Sequence, residues 1–167
     1  MLPFYVIGAG RIGLPTAHFL LRANKDVICV DLPDRIKHLL SNEPDLVAEE
    51  ENLQPLYSTE ITPKKGTIQL ITEQEFFIKI QNRPISEKYT ACYICLPTIF
   101  ENENETNEPI LQYLLKISVT PQIFPYIVIV SSIGPTLYKR MRELLPSEFF
   151  EKIIFSPERV NPLEIME

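Results

Sequence analysis

FYVIGAGRIGLPTAHFLLRANKDVICVD, Phe4 to Asp31, decides the reading of the chain. It opens on a strand-like run, Phe4-Tyr5-Val6-Ile7, passes through GAGRIG, Gly8 to Gly13, and continues into a helix-like run from Leu14 to Ala23. A second apolar run, Val27 to Val30, then ends on an acid, Asp31. Ile12, Leu14, Ala17, Leu20 and Leu21 recur at helical spacing, whereas the flanking runs are short and rich in β-branched residues. The order predicted is strand, glycine turn, helix, strand, acid.

Each residue type in that turn has a physical job. A glycine at position 8 lets the chain turn sharply at the end of a strand. One at position 10 lets backbone approach a ligand with no Cβ in the way, and one at position 13 lets the helix lie close on the sheet. A helix start presents unpaired N–H groups and a partial positive charge, which suits a diphosphate. Asp31 stands 18 residues beyond Gly13, near the spacing of about 20 at which an acid meets the ribose of a bound dinucleotide. A carboxylate there accepts ribose hydroxyls and repels a 2′-phosphate, so the cofactor expected is NAD. Three of the chain's five glycines fall in this hexapeptide, which argues against chance spacing.

The 167 residues suffice for one domain with a proper core, and 45% hydrophobic with 23% charged residues is an ordinary globular balance. A net charge of −6 with scattered basic residues gives no nucleic-acid footprint. Met1 to Gly10 is apolar but short and lacks a basic flank, so neither a signal peptide nor a membrane span is expected, and a cytoplasmic protein is. Cys29, Cys92 and Cys95 all lie in apolar runs. Cys92 and Cys95 form a CxxC, yet three residues apart on a strand they point to opposite faces, and no second pair completes a zinc site; buried thiols and no metal are expected.

Beyond Asp31, strands and helices continue to alternate. A short helix starting at Pro33 or Asp34 runs through Arg35, Ile36, Leu39 and Leu40; Arg35 either reaches an adenosine or is a solvated charge. Glu49-Glu50-Glu51 reads as a solvated helix face. Thr67 to Ile71 reads as a strand, with Thr72 and Glu75 spaced as a capping box for the next helix. Ala91 to Leu96 and Tyr126 to Val130 are continuous apolar runs of the kind buried on both faces of a parallel sheet. Pro97-Thr98 and Ser131-Ser132 follow them, at the strand ends where ligands sit. Ile99 to Glu108 reads as an acidic loop or a lid. Pro109 to Ile117 and Pro135 to Leu145 read as helices, the latter with Leu137, Met141, Leu144 and Leu145 on one face. Lys152 to Phe155 is a last strand before Ser156-Pro157-Glu158-Arg159. The fold expected is α/β: a Rossmann-type, doubly wound parallel sheet of about six strands with helices on both faces, forming one domain over residues 1–167.

With GAGRIGLP, Pro97-Thr98, Ser131-Ser132 and SPERVNP, Ser156 to Pro162, in this order, the chain resembles the N-terminal NAD-binding domain of the UDP-glucose/GDP-mannose dehydrogenases, from residue 4 to about residue 163. That family oxidises the C6 hydroxyl of a nucleotide sugar to a carboxylate in two hydride transfers to NAD. The resemblance implies that Gly8, Gly10, Arg11, Ile12 and Gly13 hold the pyrophosphate, and Asp31 with Arg35 the adenosine end. Thr72, Pro97, Thr98 and Ser132 then line the cofactor side. Glu158 positions a water and assists proton transfer near the reacting carbon, with Thr98 orienting that water. SPERVNP is closer to the branch acting on UDP-N-acetylhexosamines.

There are departures. Ser131-Ser132-Ile133-Gly134-Pro135-Thr136 replaces a longer Ser-Thr-Val-Pro-Pro-Gly-Thr signature, Leu163 stands where a glycine ends the SPER motif, and Glu73 replaces the aspartate after Thr72. The family's central helix, which forms its dimer, and its C-terminal domain, which closes over the UDP-sugar and brings the nucleophilic cysteine with its lysine and asparagine, have no counterpart in the sequence. The expectation is therefore a cofactor-binding half, engaging UDP-sugar only together with such a domain, its oligomeric state open. The alternatives are a non-catalytic NAD-binding module or decayed gene product, and a dehydrogenase of another family sharing only the Rossmann start; Pro97-Thr98 and the SPER motif argue against the last.

Overall fold

A computed structural model describes residues 2–41, 66–84, 89–97, 99–101, 104–106, 108–120 and 122–157. The order is β1 (Phe4–Ile7), α1 (Gly13–Arg22), β2 (Val27–Asp31), α2 (Pro33–Ser41), β3 (Ile68–Thr72), α3 (Glu73–Gln81) and β4 (Cys92–Ile94). Then follow β5 (Ile99–Glu101), β6 (Asn104–Thr106), α4 (Glu108–Ser118), β7 (Ile127–Ile129), α5 (Pro135–Leu144), α6 (Ser147–Phe150) and β8 (Ile153–Phe155). Six strands form one sheet in the order β3-β2-β1-β4-β7-β8, every neighbouring pair parallel. This is the doubly wound sheet that the alternation predicts. The chain winds outward from β1 to β3 and then returns to β4 on the other side of β1, so the connections leave the sheet in opposite directions there.

Two cores lie on the two sides of the sheet. Tyr5, Ile7, Ile28, Val30, Cys92 and Ile94 face one together with α3, α4 and α5; Val6, Val27, Cys29, Cys95 and Val130 face the other with α1 and α2. The period of two along each strand divides them. Cys92 and Cys95 accordingly belong to different cores, and all three cysteines are buried free thiols. Helix α4 inserts Ile110, Leu111, Leu114 and Ile117, each fully buried, at roughly 1.5–3 kcal/mol per side chain relative to exposure. His18 is buried on α1, a packing histidine.

Local signals in the sequence have physical counterparts. Pro15 is the third residue of α1, within the first turn. Asn24 is left-handed, φ 59°, and ends α1. Thr72 caps α3 reciprocally with Glu75: its N–H and hydroxyl donate to Glu75 Oε2 at 2.7 and 2.8 Å, and Glu75 N–H donates back to Thr72 Oγ1 at 3.3 Å.

Other expectations are corrected. Strands β4 and β7 have three residues each, shorter than the apolar runs containing them, because pairing with β1 and with each other stops where the chain must turn. Residues 99–106 are not a featureless loop: Ile99 pairs with Thr106 and Glu101 with Asn104 in an antiparallel ribbon outside the main sheet. Leu40 and Leu144 point to solvent, 52% and 51% exposed, since one helical face holds only Ile36 and Leu39 in α2, and Leu137 and Met141 in α5. The single turn α6 was not foreseen. Glu49-Glu50-Glu51, Thr98 and Glu158 lie outside the described residues. Among the described residues no helix is long and apolar enough to cross a membrane.

Candidate dinucleotide site

The glycine turn, residues 8–12, joins β1 to α1 at the carboxyl end of the sheet. Gly8 has φ +94°, a conformation that side chains disfavour, and a Cβ there would lie 2.7 Å from the Cys95 carbonyl oxygen. A Cβ on Gly13 would fall on the Gly8 carbonyl oxygen and 3.3 Å from a Val6 methyl, so this glycine lets the helix start nest inside the turn as well as against the strand. Gly10 differs: a Cβ there would meet no protein atom within 4 Å. The fold itself does not require a glycine at position 10.

Helix α1 begins beside that space with Ile12 as its N-cap, which makes no side-chain capping bond. The first N–H groups of a helix have no intrahelical carbonyl. At this one the Leu14 N–H is taken by the Gly10 carbonyl at 3.0 Å and the Thr16 N–H by the Ile12 carbonyl at 3.1 Å, and Pro15 has no N–H, so the anion-attracting end of the helix is its first residue and the turn before it. Arg11 is exposed on the turn and Ile12 half-buried.

Asp31 ends β2, its carboxylate turned back onto the turn. Oδ2 accepts the Ala9 N–H at 2.6 Å and Oδ1 accepts the Leu32 N–H at 2.7 Å. A carboxylate has about four acceptor positions, so two remain for hydroxyl donors. From α2, Arg35 Nε donates to the Ala9 carbonyl at 3.3 Å. Both backbone polar groups of Ala9 are therefore held, one by each residue that the sequence assigns to the adenosine end.

Gly8, Gly10, Asp31, Arg35 and Pro97 line one cavity of about 580 Å³ over the switch between β1 and β4. Its far side comes from two helices that the sequence predicts but does not assign to the site: Glu73 at the start of α3, and Pro109, Gln112, Tyr113 and Lys116 on α4. Lys116 Nζ lies 3.3 Å from Glu73 Oε1. Tyr113 is buried, and burial, then the neighbouring Glu73 and Asp31 charges, push its phenol well above the ordinary tyrosine range, so it stays protonated. The spacing Pro109, Gln112, Tyr113, Lys116 is a helical stripe of its own, flanking the apolar stripe of α4; that was the available signal.

The remaining assigned residues are placed unevenly. Ser132 is exposed just past β7, while Ser131, beside it, is buried and donates its hydroxyl to the Leu96 and Ile94 carbonyls at 2.5 and 3.3 Å, tying the ends of β4 and β7 together. The Thr72 hydroxyl is engaged in its capping box, and Glu73, next in sequence, lines the cavity. Cys95 stands past the end of β4 and lines the cavity too, although only 7% exposed.

A parallel doubly wound sheet with a glycine turn and an acid at its switch-point crevice defines a Rossmann-type domain. No protein-family model matches the chain. Over 169 residues it is 31% identical to the UDP-N-acetyl-D-mannosamine dehydrogenase of Methanococcus maripaludis strain C7, and 30% identical over 168 residues to the enzyme of that name from Methanococcus vannielii; each match covers 96% of the chain. The chain spans 35% of the length of these curated relatives. Among solved structures, it is similar to a UDP-D-ManNAc dehydrogenase from Pyrococcus horikoshii with a TM-score of 0.64 and 20% identity, over 99% of this chain and 38% of that one. It is also similar to the UDP-N-acetyl-mannosamine dehydrogenase of Staphylococcus aureus, with a TM-score of 0.57 and 22% identity, over 96% and 37%. The chain is thus homologous, over nearly its whole length, to about a third of the length of UDP-sugar dehydrogenases, and the relatives named here are UDP-N-acetylmannosamine enzymes.

Proposed function

We propose that the chain binds NAD in this cavity and supplies the dinucleotide-binding share of a nucleotide-sugar dehydrogenase acting on a UDP-N-acetylhexosamine. The observation that carries the reading is the empty space at Gly10: a glycine that no protein contact requires, before a helix start with no side-chain cap, in a cavity whose wall holds a carboxylate with acceptor positions to spare. The pyrophosphate would lie over Gly8 to Gly13 against the start of α1, where backbone N–H groups and the helix dipole favour an anion. Asp31 would take the adenosine ribose hydroxyls while holding the turn through Ala9, and Arg35 would fix the turn from the α2 side.

NAD when bound supplies the hydride acceptor for oxidation at C6 of the sugar. The residues here bind and orient it. Leu96, Pro97 and the buried Cys95 wall the crevice against water on the β4 side, and Thr98 and Glu158, by family resemblance, would orient and deprotonate a water near the reacting carbon.

Calorimetric titration of the chain with NAD and with NADP, repeated with UDP-sugars present, tests it. Binding of NAD in preference to NADP is the expected result. Binding of neither dinucleotide would overturn the reading and leave the glycine turn as scaffold only.

A further inference from the structure

The cavity does not end at Asp31. In the paired strands β2 and β3, Asp31 stands opposite Thr72, so Glu73 is one residue past the neighbour of the acid proposed for the ribose, at the same end of the sheet. Adjacent strands lie about 4.8 Å apart, so Glu73 is roughly one sugar's width farther along the sheet from the pyrophosphate turn. Leu32, just before α2, and Pro109 and Tyr113 from α4 give that part of the cavity apolar walls, suited to the faces of a flat ring.

The Glu73 side chain is 27% exposed, so it is neither sealed in the core nor fully in solvent. Lys116 lies 3.3 Å from one carboxylate oxygen and also stands 4.9 Å over the Phe77 ring, which restricts where its ammonium sits. Tyr113, buried on α4, lines the same part of the cavity. Lys116 thus holds the carboxylate from one side. About three of its acceptor positions remain, and a carboxylate offers no donor. Gln112, the other polar group at this end, is an amide that donates or accepts equally and so sets no preference.

We infer that Glu73 is a specificity-determining residue for the base: it accepts a hydrogen bond from the exocyclic amino group of adenine and disfavours a purine with a carbonyl oxygen at that position. This rests on the dinucleotide reading above and adds to it the residue that reads the base. A purely structural Glu73, tying α3 to α4 through Lys116, would affect stability but not the choice of base.

The test compares binding of NAD with that of nicotinamide hypoxanthine dinucleotide, which differs from NAD in having a carbonyl where adenine has its amino group. By calorimetry the unaltered chain is expected to bind NAD about tenfold or more tightly over the analogue, the discrimination typical of a hydrogen bond to a charged acceptor. Glu73→Gln, whose amide can donate to the carbonyl, is expected to bring the two affinities within about threefold at an unchanged melting temperature. Glu73→Asp should keep a preference for NAD. Equal binding of the two dinucleotides by the unaltered chain overturns the inference without needing any variant, and so does a full preference retained in Glu73→Gln. Binding of neither ligand would instead overturn the dinucleotide reading itself.

Discussion

The Asp31 carboxylate accepts the backbone N–H of Ala9 at 2.6 Å, joining the end of β2 to the middle of the glycine turn 22 residues earlier. Arg35 takes the carbonyl of the same residue. The turn is therefore held in shape by two residues of the cavity wall. Asp31→Ala removes both the acceptor proposed for the ribose and the anchor of the turn, and is expected to weaken NAD binding by about 1.5–3 kcal/mol, the range for hydrogen bonds to a charged group. Titration calorimetry measures it, and an unchanged affinity would remove Asp31 from the site.

The three glycines of the turn should separate by experiment. Gly10→Ala meets no protein atom, so its stability should stay within about 0.5 kcal/mol of the unaltered chain while NAD binding falls. Gly8→Ala, at φ +94° and against the Cys95 carbonyl, should destabilise by about 1–3 kcal/mol, and Gly13→Ala by at least as much. Denaturant melts read the stabilities. If Gly10→Ala bound NAD normally, the space beside it would not be the pyrophosphate site.

Acid sensitivity has a named origin. The backbone N–H and then the hydroxyl of Thr72 lower the pKa of Glu75, and the hydroxyl and then the N–H of Thr67 lower that of Asp26. A carboxylate depressed in the folded state contributes stability above its unfolded pKa and loses it as pH falls through the folded one, so this contribution fades below about pH 4.5. Both groups are solvent-exposed, and screening keeps each effect small. Thr72→Ala should cost about 1 kcal/mol at pH 7, with a smaller difference from the unaltered chain at pH 2.5. Urea titrations at the two pH values check this; an equal difference at both would detach the cap from the titration.

Burial, then the neighbouring Cys95 and Asp31, push the Cys29 thiol up to about 12, and burial followed by Cys95 raises Cys92 well above the ordinary value. Neither should react with a thiol reagent at pH 8 until the chain unfolds. Cys95, at the cavity wall, should be labelled first, and NAD should slow its labelling. Mass spectrometry of the labelled chain with and without NAD decides; labelling of Cys29 or Cys92 ahead of Cys95 would contradict the placement.

The glycine turn and the caps were legible because each depends on residues close in sequence, and the sheet because each strand is a short apolar run alternating with helical spacing. Asn24 ends a helix by its own conformation, and Thr72 and Glu75 meet within one turn. The far wall of the cavity was not legible in this way. Glu73 and Lys116 are 43 residues apart, and nothing local says that α4 lies across from α2. The ribbon at 99–106 escaped for a different reason. Alternation marks a strand with one face in a core, and a two-stranded ribbon outside the main sheet has no such requirement.

The seam where β3 joins the sheet bears on how the chain folds. Asp26 Oδ1 accepts both the N–H and the hydroxyl of Thr67, at 2.9 and 2.7 Å and 41 residues away, and Gly66 lies so close to the Lys25 carbonyl that no side chain fits. These contacts fix the alignment of β3 on β2, and a slip of one residue would turn Ile71 out of the core. Closing a loop of that size costs about 3 kcal/mol of chain entropy, which early, local contacts do not repay, so β3 is expected to dock late along the folding route. Once it is pinned, doubling the length of the connection between the two strands would add only about 0.6 kcal/mol of loop-closure cost.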